Sequence, residues 1–249
     1  MTLLNEQTFI CLDCETTGLD AKSDRIIEIA VTKFTFAKTL ATFETLIDPE
    51  QPISAASMLI HHIDDSMVAG QPKIQEVLPK IIEMVGPYPV IGHGIQMDLS
   101  FLAESCKRYN IPNPFLTLTF IDTLRLARLY GESPTNSLEK LRQHFNIQAE
   151  GAHRAMNDVI VNIRVFEYLS KTFKTTEQLL TRLTKPIMLK NMPLGKYKGR
   201  PFSELPIDYL SWAMRADFDQ DLLFSLRSEF QKRTKGTGFE QASNPFAKL

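Results

Sequence analysis

The sequence predicts a mixed α/β fold, and two features of its apolar pattern are the reason. Three segments rich in Ile, Val, Phe and Thr, at residues 8–14, 26–36 and 39–47, are typical of β-strands. The short connections between them favour antiparallel neighbours. Further along the chain, segments with helical apolar spacing alternate with short strands. We therefore expect one mixed sheet with helices packed against it.

The later elements follow from the same patterns in chain order. Segment 74–85 has helical apolar spacing that Pro79 interrupts. A short buried strand at 89–94 is followed by a helix from Gln96 to Tyr109. The remaining expected elements are a strand end running into a helix at 119–130, a helix at 136–145 with Asn136 or Ser137 as its N-cap, and a long helix from Ala155 to Thr172.

Composition restricts the class of protein. The chain has 249 residues, of which 43% are hydrophobic and 23% charged, as in ordinary globular proteins. No apolar run reaches the ~20 residues of a membrane span, so we expect no membrane partner. Three cysteines and no secretory signal fit a reducing cytoplasm. The formal net charge of −1 does not by itself indicate nucleic-acid binding, so any such binding must use a local patch.

The segment "FICLDCETTG" begins as an apolar strand and ends with two carboxylates, Asp13 and Glu15. Residues i and i+2 of a strand point the same way, so these side chains project together, about 6–7 Å apart along the strand. Two like charges at the end of a buried strand raise each other's pKa unless a cation lies between them. The pair therefore indicates a divalent metal, with solvated acids before a turn as the alternative.

Two more acids and a histidine stand in suggestive positions. Asp98 falls in the first turn of a helix that leaves a strand, where the helix dipole alone favours a carboxylate. Asp158 lies within the long helix, between apolar positions. His153 precedes it by five residues, which is about 140° around a helix. We therefore expect His153 on a loop or frayed first turn from which it reaches Asp158, and a helix-start histidine that meets water is the alternative.

Three motifs in order, "DCETTG", "GHGIQMDLSFL" and "HRAMND", resemble the DEDDh branch of the DnaQ-like exonuclease superfamily. The stretches "DRIIEIAV", "IDTLRLAR" and "NSLEKLRQHFNI" support the resemblance, which covers residues 8 to about 170. It implies a ribonuclease H-like fold, a five-stranded mixed sheet flanked by helices, in an exonuclease domain at 1–172. It also implies 3′→5′ removal of nucleotides, for which we expect DNA ends as substrate. The alternatives are an RNA-directed exoribonuclease and a non-catalytic nucleic-acid-binding replisome adaptor.

The resemblance also implies roles for individual residues. Two Mg²⁺ or Mn²⁺ ions would bind the four acids, and His153 would deprotonate the attacking water. The four expected metal ligands are Asp13, Glu15, Asp98 and Asp158. The expected substrate contacts are Thr16, Thr17, Gly18 and Leu19, with His61 and His93 nearby. Gly94 and Met97 stand where the family usually has Asn and Phe, which puts one polar contact near the substrate in doubt.

A second, smaller module is expected at 190–233, after a linker at 173–189 and before a flexible tail at 234–249. The stretch "MPLGKYKGRPFSELPIDYLSWAMR" predicts a turn-rich short strand and a helix, and it is similar to the C-terminal module of exodeoxyribonuclease X. Cations alternate there with an aromatic ring, a pattern that suits phosphates and stacked bases. The residues concerned are Lys196, Tyr197, Lys198 and Arg200. A solvated edge protected by lysines is the alternative.

The tail contains "QASNPF", which is similar to a sliding-clamp-binding peptide of the polymerase III proofreading subunit. Asn244 replaces the apolar residue expected in that peptide. The expected partners are therefore DNA with single-stranded or frayed 3′ ends and, through the family, DNA polymerase III subunits or the sliding clamp.

Overall fold

A single five-stranded sheet organises the larger part of the molecule. The computed structural model describes residues 3–130, 136–148 and 154–240, with the last six as backbone only. The strands are β1 (Phe9–Thr16), β2 (Ile26–Thr35), β3 (Lys38–Leu46), β4 (Val90–Gly92) and β5 (Phe120–Asp122). Their order is β3-β2-β1-β4-β5. The β1–β2 and β2–β3 pairs are antiparallel, whereas β4 is parallel to both β1 and β5. The predicted mixed five-stranded sheet is confirmed.

Helices cover both faces of this sheet. In chain order the helices of the larger part are α1 (Ala55–His61), α2 (Asp65–Val68), α3 (Ile74–Val85), α4 (Gln96–Arg108), α5 (Thr123–Tyr130), α6 (Leu138–His144), α7 (Ala155–Leu169) and α8 (Thr176–Leu183). Two more helices, α9 (Ile207–Ala213) and α10 (Gln220–Glu240), belong to the C-terminal module. Within the described residues, none of them is both long enough and apolar enough to cross a membrane.

Strand β1 is buried on both faces because its alternate side chains enter two different cores. Phe9 and Cys11 pack with Phe166 of α7, and the rings of Phe9 and Phe166 meet edge-on at 5.2 Å. Ile10 and Leu12 pack on the opposite side against α3 and α4. Each fully buried apolar side chain of this kind contributes about 1.5–3 kcal/mol. These two cores hold α7 and α4, the helices that carry the predicted acids, against the same central strand.

Cys11 and Cys14 have the C-x-x-C spacing of some metal and redox sites, but in β1 they lie on opposite faces. Cys11 belongs to the core beneath α7, whereas Cys14 packs against the core on the other side. All three cysteines of the chain are free thiols.

Several elements depart from the expected limits. Strand β1 continues to Thr16, so Asp13 and Glu15 lie inside a paired strand, with Glu15 opposite Glu28 of β2. Helix α3 runs through Pro79 without ending there. Six of its apolar side chains are buried, and their packing offsets the hydrogen bond that the proline removes.

The segment 173–189 was expected to be a linker, and the structure differs. It contains α8, whose Leu179 and Leu183 are buried in the same core as α7. Ile187 also enters that core. The apolar residues of α8 lie on one helical face, and this face packs into the core. This part of the chain therefore belongs to the folded body.

The C-terminal module has a small core of its own, built around Phe202, Leu210 and Leu226. In place of the expected short strand there is one antiparallel bridge, between Asn191 and Pro201, which encloses a single 3₁₀ turn. Helix α10 continues to Glu240, so the first residues of the expected tail are helical. The "QASNPF" segment lies outside the described residues.

A buried ionic network fastens this module to the exonuclease-like body. Asp221 at the start of α10 is fully buried and accepts hydrogen bonds from Arg125 and Arg128 of α5, at 2.9 to 3.0 Å. The backbone N–H of Ile187 donates to the same carboxylate at 3.0 Å. Arg128 also pairs with Asp219. The orientation of the module is therefore fixed by charged hydrogen bonds that water does not screen.

Candidate active site

Three of the four predicted acids converge at the end of β1. Asp13 and Glu15 project from this strand on the face that α7 covers, and Asp158 lies in the first turn of α7. One carboxylate oxygen from each lies within 4.8 Å of one from each of the others. The face of β1 that packs against α7 is apolar at Phe9 and Cys11 and carries the acids further along, where α7 begins. Apolar packing between β1 and α7 therefore brings the acids together.

Burial and mutual repulsion perturb these carboxyl groups. Burial raises the pKa of Asp13 well above its usual range, and the charges of Asp98 and Asp158 raise it further. Burial, followed by the charges of Asp158 and Glu28, raises the pKa of Glu15 to about 8. A cation among them would relieve both effects, and an all-oxygen donor set suits hard divalent ions. The residues present therefore fit a Mg²⁺ or Mn²⁺ site.

Asp98 stands beside this cluster and does not enter it. It is buried at the start of α4, and its Oδ1 accepts a hydrogen bond of 2.9 Å from the backbone N–H of Cys14. Strand β4 ends at Gly92 and therefore offers no backbone carbonyl to the N–H of Cys14. The Asp98 carboxylate accepts this N–H in place of a neighbouring strand. Its charge still raises the pKa of Asp13. Burial raises the pKa of Asp98 itself to about 7.

His153 lies outside the described residues, so its predicted role as general base is neither supported nor contradicted by the geometry. The two other predicted histidines are engaged inside the protein. His93 Nε2 donates to the carbonyl of Asn136 at 2.8 Å, and its Nδ1 lies 3.1 Å from the hydroxyl of Thr123. Burial lowers the pKa of His93 to about 4, so the ring is neutral near pH 7. His61 is buried at the end of α1. Contact of either histidine with a substrate stays a prediction.

The turn after the acid pair is tied to its surroundings through Thr17. The Thr17 hydroxyl accepts from the backbone N–H of Arg25 at 3.0 Å and from the amide of Gln51 at 2.9 Å. Ser57 of α1 donates to the Thr17 carbonyl at 2.8 Å. The turn is therefore held rigidly against β2 and α1.

Gly18 and Leu19 have different parts in this turn. A Cβ on Gly18 would lie 2.4 Å from the carboxylate of Asp24, which would have to move away from the Thr17 hydroxyl and the Asp20 N–H to which it is hydrogen-bonded. The Thr16 hydroxyl donates to the Gly18 carbonyl at 2.6 Å. Leu19 is 84% exposed, which leaves its apolar side chain available to a ligand.

Two supporting acids were missed at the sequence level. Glu28 is buried on β2 and accepts a hydrogen bond from the backbone N–H of Ala155, the first residue of α7. Asp122 is buried at the end of β5 and accepts hydrogen bonds from the backbone N–H of Gly94 and of Leu124, each at 2.9 Å. In both cases the available signal was an acid inside an otherwise apolar segment, such as "IIEIAV".

The mixed sheet and the cluster of carboxylates at the end of its central strand are the arrangement expected of a metal-dependent hydrolase. Residues 10–166 match the RNase_T family, described as exonuclease. The chain belongs to this exonuclease family and thus to the DnaQ-like superfamily that the motifs indicated. Residues 178–227 match a second family, described as "Putative quorum-sensing-regulated virulence factor".

Curated relatives include proteins of DNA replication. The DNA polymerase III subunit epsilon of Aquifex aeolicus is 31% identical over 167 residues, which are 66% of this chain and 80% of that protein. The PolC-type DNA polymerase III of Caldanaerobacter subterraneus is 35% identical over 162 residues, 65% of this chain. The match spans only 11% of that polymerase.

Solved structures give the same picture. Exonuclease X in complex with 5′ overhanging duplex DNA matches with a TM-score of 0.55 and 26% identity, covering 69% of this chain and 96% of that one. Exonuclease I matches with a TM-score of 0.62 over 72% of this chain and 43% of that one, at 19% identity, which shows the fold alone.

Proposed function

We propose that this protein is a divalent-metal-dependent 3′→5′ exonuclease that releases nucleotides from DNA 3′ ends. The observation that carries the proposal is the convergence of Asp13, Glu15 and Asp158 on one point at the end of β1. Membership of the exonuclease family supports the hydrolase chemistry. DNA as substrate is supported by the replication proteins among the relatives and by the DNA-bound exonuclease X structure.

In this proposal the three converging acids hold the metal. Divalent ions bound there supply positive charge to the attacking and leaving oxygens of the phosphodiester. Asp98, whose Oδ1 accepts the backbone N–H of Cys14, would be the fourth acid to hold these ions. Its pKa of about 7 makes ionisation accessible near neutral pH.

The remaining roles concern the water and the terminal nucleotide. His153 accepts the proton of the attacking water, as the DEDDh resemblance implies. The rigid turn at 16–19 receives the terminal nucleotide, and the exposed side chain of Leu19 packs on its base. Because Thr17 already uses its hydroxyl within the protein, it acts by holding the turn in shape.

A direct assay tests the proposal. Single strands of DNA and RNA labelled at the 5′ end are incubated with the protein in Mg²⁺, in Mn²⁺ or in EDTA, alongside the Asp13→Ala variant. A ladder of progressively shorter labelled DNA, absent in EDTA and in the variant, is expected from 3′→5′ degradation. Immediate release of a labelled mononucleotide would instead indicate attack from the 5′ end.

Two other outcomes separate the competing functions. Shortening of RNA alone would assign the protein to RNA turnover. Binding of nucleic acid with no shortening by the wild-type protein in either metal would leave the non-catalytic adaptor. Association with DNA polymerase III subunits or a sliding clamp is part of the same proposal, supported by the epsilon relative, and a pull-down with purified polymerase subunits tests it.

A further inference from the structure

The C-terminal module presents three aromatic rings in contact with one another, which we call the aromatic platform: Tyr197, Tyr209 and Trp212. The ring centroids of Tyr197 and Tyr209 are 4.6 Å apart, and those of Tyr209 and Trp212 are 5.4 Å apart. Tyr209 and Trp212 are three residues apart on α9, so they share one face of that helix. Tyr197 joins them from the 3₁₀ turn at Gly195–Tyr197.

Of the three rings only that of Trp212 is largely exposed, while Tyr197 and Tyr209 are half-buried against the core of the module. Leu210 and Ala213 of α9 are fully buried in that core, whereas the neighbouring Trp212 is 60% exposed. Trp212 is the single tryptophan of the chain. A large aromatic side chain left in water beside two others forms an apolar patch, and such patches mark binding surfaces.

Cations surround the platform. Lys196 Nζ lies 5.4 Å from the centre of the Tyr197 ring, and the guanidinium carbon of Arg200 lies 5.7 Å from it. Between residues 195 and 215 the sequence has four basic residues and two acidic ones. Among the described residues, Lys196, Lys198 and Arg200 form no salt bridge with a carboxylate. A group of aromatic rings with an exposed tryptophan, beside such cations, suits a ligand with both flat bases and phosphates.

A cleft leads from the body of the enzyme to this surface. It has a volume of about 880 Å³ and is lined by His93 and Asn136 on one side and by Leu194, Lys198 and Gly199 on the other. His93 directly follows β4 and precedes Asp98 of α4 by five residues. Because Asp221 fixes the module against α5, the cleft and the platform keep a constant relation to the sheet.

We propose that the aromatic platform binds the single-stranded part of the nucleic-acid substrate, with bases stacked on Trp212 and Tyr209 and phosphates on Lys196, Lys198 and Arg200. The inference rests on the proposed exonuclease function for its substrate class. Stacking on aromatic rings tolerates any base, which suits an enzyme that must move along a strand of arbitrary sequence.

The single tryptophan makes a direct test possible. In the non-cleaving Asp13→Asn background, with EDTA present, oligothymidylate of about 20 nucleotides is titrated into the protein while tryptophan fluorescence is recorded. Stacking on Trp212 is expected to quench the signal in a saturable way that weakens as salt rises. Saturated binding by anisotropy of a labelled oligonucleotide with an unchanged tryptophan signal would overturn the proposal.

Variants supply the control. Trp212→Ala is expected to weaken oligonucleotide binding about 5- to 20-fold, whereas Trp212→Phe retains most of the affinity. Phe224→Ala is the matched control, since Phe224 is an exposed aromatic residue of α10 outside the platform. Equal losses in Trp212→Ala and Phe224→Ala, or preferential binding of an acidic peptide over the oligonucleotide, would also overturn it.

A second readout separates this inference from the proposed function. In the otherwise wild-type enzyme, Trp212→Ala is expected to slow degradation of long strands while hydrolysis of a dinucleotide stays unchanged. If the wild-type protein hydrolyses nothing, the proposed function fails, and the quenching experiment still decides whether the platform binds a strand.

Discussion

Both carboxylate oxygens of Glu28 accept hydrogen bonds from the guanidinium group of Arg154. Arg154 Nη2 lies 2.6 Å from Glu28 Oε1, and Nε donates to Oε1 and Oε2 at 3.0 and 3.2 Å. The second oxygen also accepts the backbone N–H of Ala155 at 2.9 Å. The start of α7, which carries Asp158, is thereby tied to β2 directly opposite Glu15. A fork-shaped pair of this kind fixes direction as well as distance.

We expect Glu28→Gln to weaken metal binding and exonuclease activity by about 10- to 100-fold, as is usual for residues that orient metal ligands. Glutamine has only one side-chain oxygen, so it cannot accept hydrogen bonds at two oxygens from the Arg154 guanidinium and the Ala155 N–H, as the carboxylate does. Asp158 therefore loses its fixed position. Mn²⁺ titration and a nuclease assay measure the effect. Glu83→Gln, which removes an exposed acid of α3, should change neither. Equal effects of the two substitutions would contradict the positioning role.

Replacing Asp13 should increase the stability of the metal-free protein and abolish its activity. In EDTA, Asp13→Asn is expected to raise the free energy of unfolding by about 1–2 kcal/mol, because it removes a buried charge from among its like neighbours. Activity should disappear at the same time. Urea denaturation with and without Mn²⁺ measures this, and the metal should stabilise the wild-type protein only. Asp217→Asn, at an exposed position, is the control. A lower stability of the Asp13→Asn protein would contradict the claim that repulsion among the buried acids destabilises the fold.

The stability of the metal-free protein should fall as pH rises from about 6.5 to 8. The pKa of Glu15 is raised to about 8 and that of Asp98 to about 7, so the folded state holds protons that the unfolded state has released. His93 has a lowered pKa of about 4 and opposes this trend only below its unfolded value of 6.5. Each group contributes at most about 1.4 kcal/mol per pH unit. Urea denaturation in EDTA across this range, repeated with Mn²⁺, should show the slope vanish with metal.

Gly18→Ala is expected to destabilise the protein by about 1–3 kcal/mol and to raise KM, because the new methyl group would collide with the Asp24 carboxylate. The double variant with Asp24→Ala should recover part of the stability, since the collision partner is gone. A double-mutant cycle by thermal denaturation measures the coupling. Strictly additive effects would show that the contact is not the cause.

Asp221→Asn should be the most damaging substitution outside the candidate site. It leaves Arg125 and Arg128 without their shared buried acid, which typically costs about 3–5 kcal/mol. Asp219→Asn is the matched control, because Asp219 is partly exposed and water can replace it. Urea denaturation compares the two, and similar losses would mean that burial of Asp221 is unimportant.

Much of the fold was predictable because its signals are local. The strand pattern, the acid pair of β1 and the helix of Asp158 all depend on side-chain periodicity within one element. The boundaries were less accurate where packing decides them. Pro79 did not end α3, and the segment expected as a linker forms α8, because the apolar face of each helix is buried in one of the two cores.

Long-range partners were not predictable from one sequence. Glu28 and Arg154 are 126 residues apart, and Arg125 and Asp221 are 96 apart. Neither pair has a spacing rule, since each depends on where whole elements dock. The hydrogen bond from the Cys14 amide to Asp98 likewise depends on where β4 ends. Sequence motifs named the acids, and tertiary packing decided which of them face one another.

The arginines on α5 have a consequence for anyone who shortens this protein. Removing the C-terminal module would uncover Arg125 and Arg128 together with the apolar surface around them. The truncated protein would thus expose a positively charged, partly apolar surface patch that is absent from the intact chain and that would attract polyanions by itself. A shortened chain that still retains DNA on a filter would say little about the module, and single substitutions on the intact chain are the safer experiment.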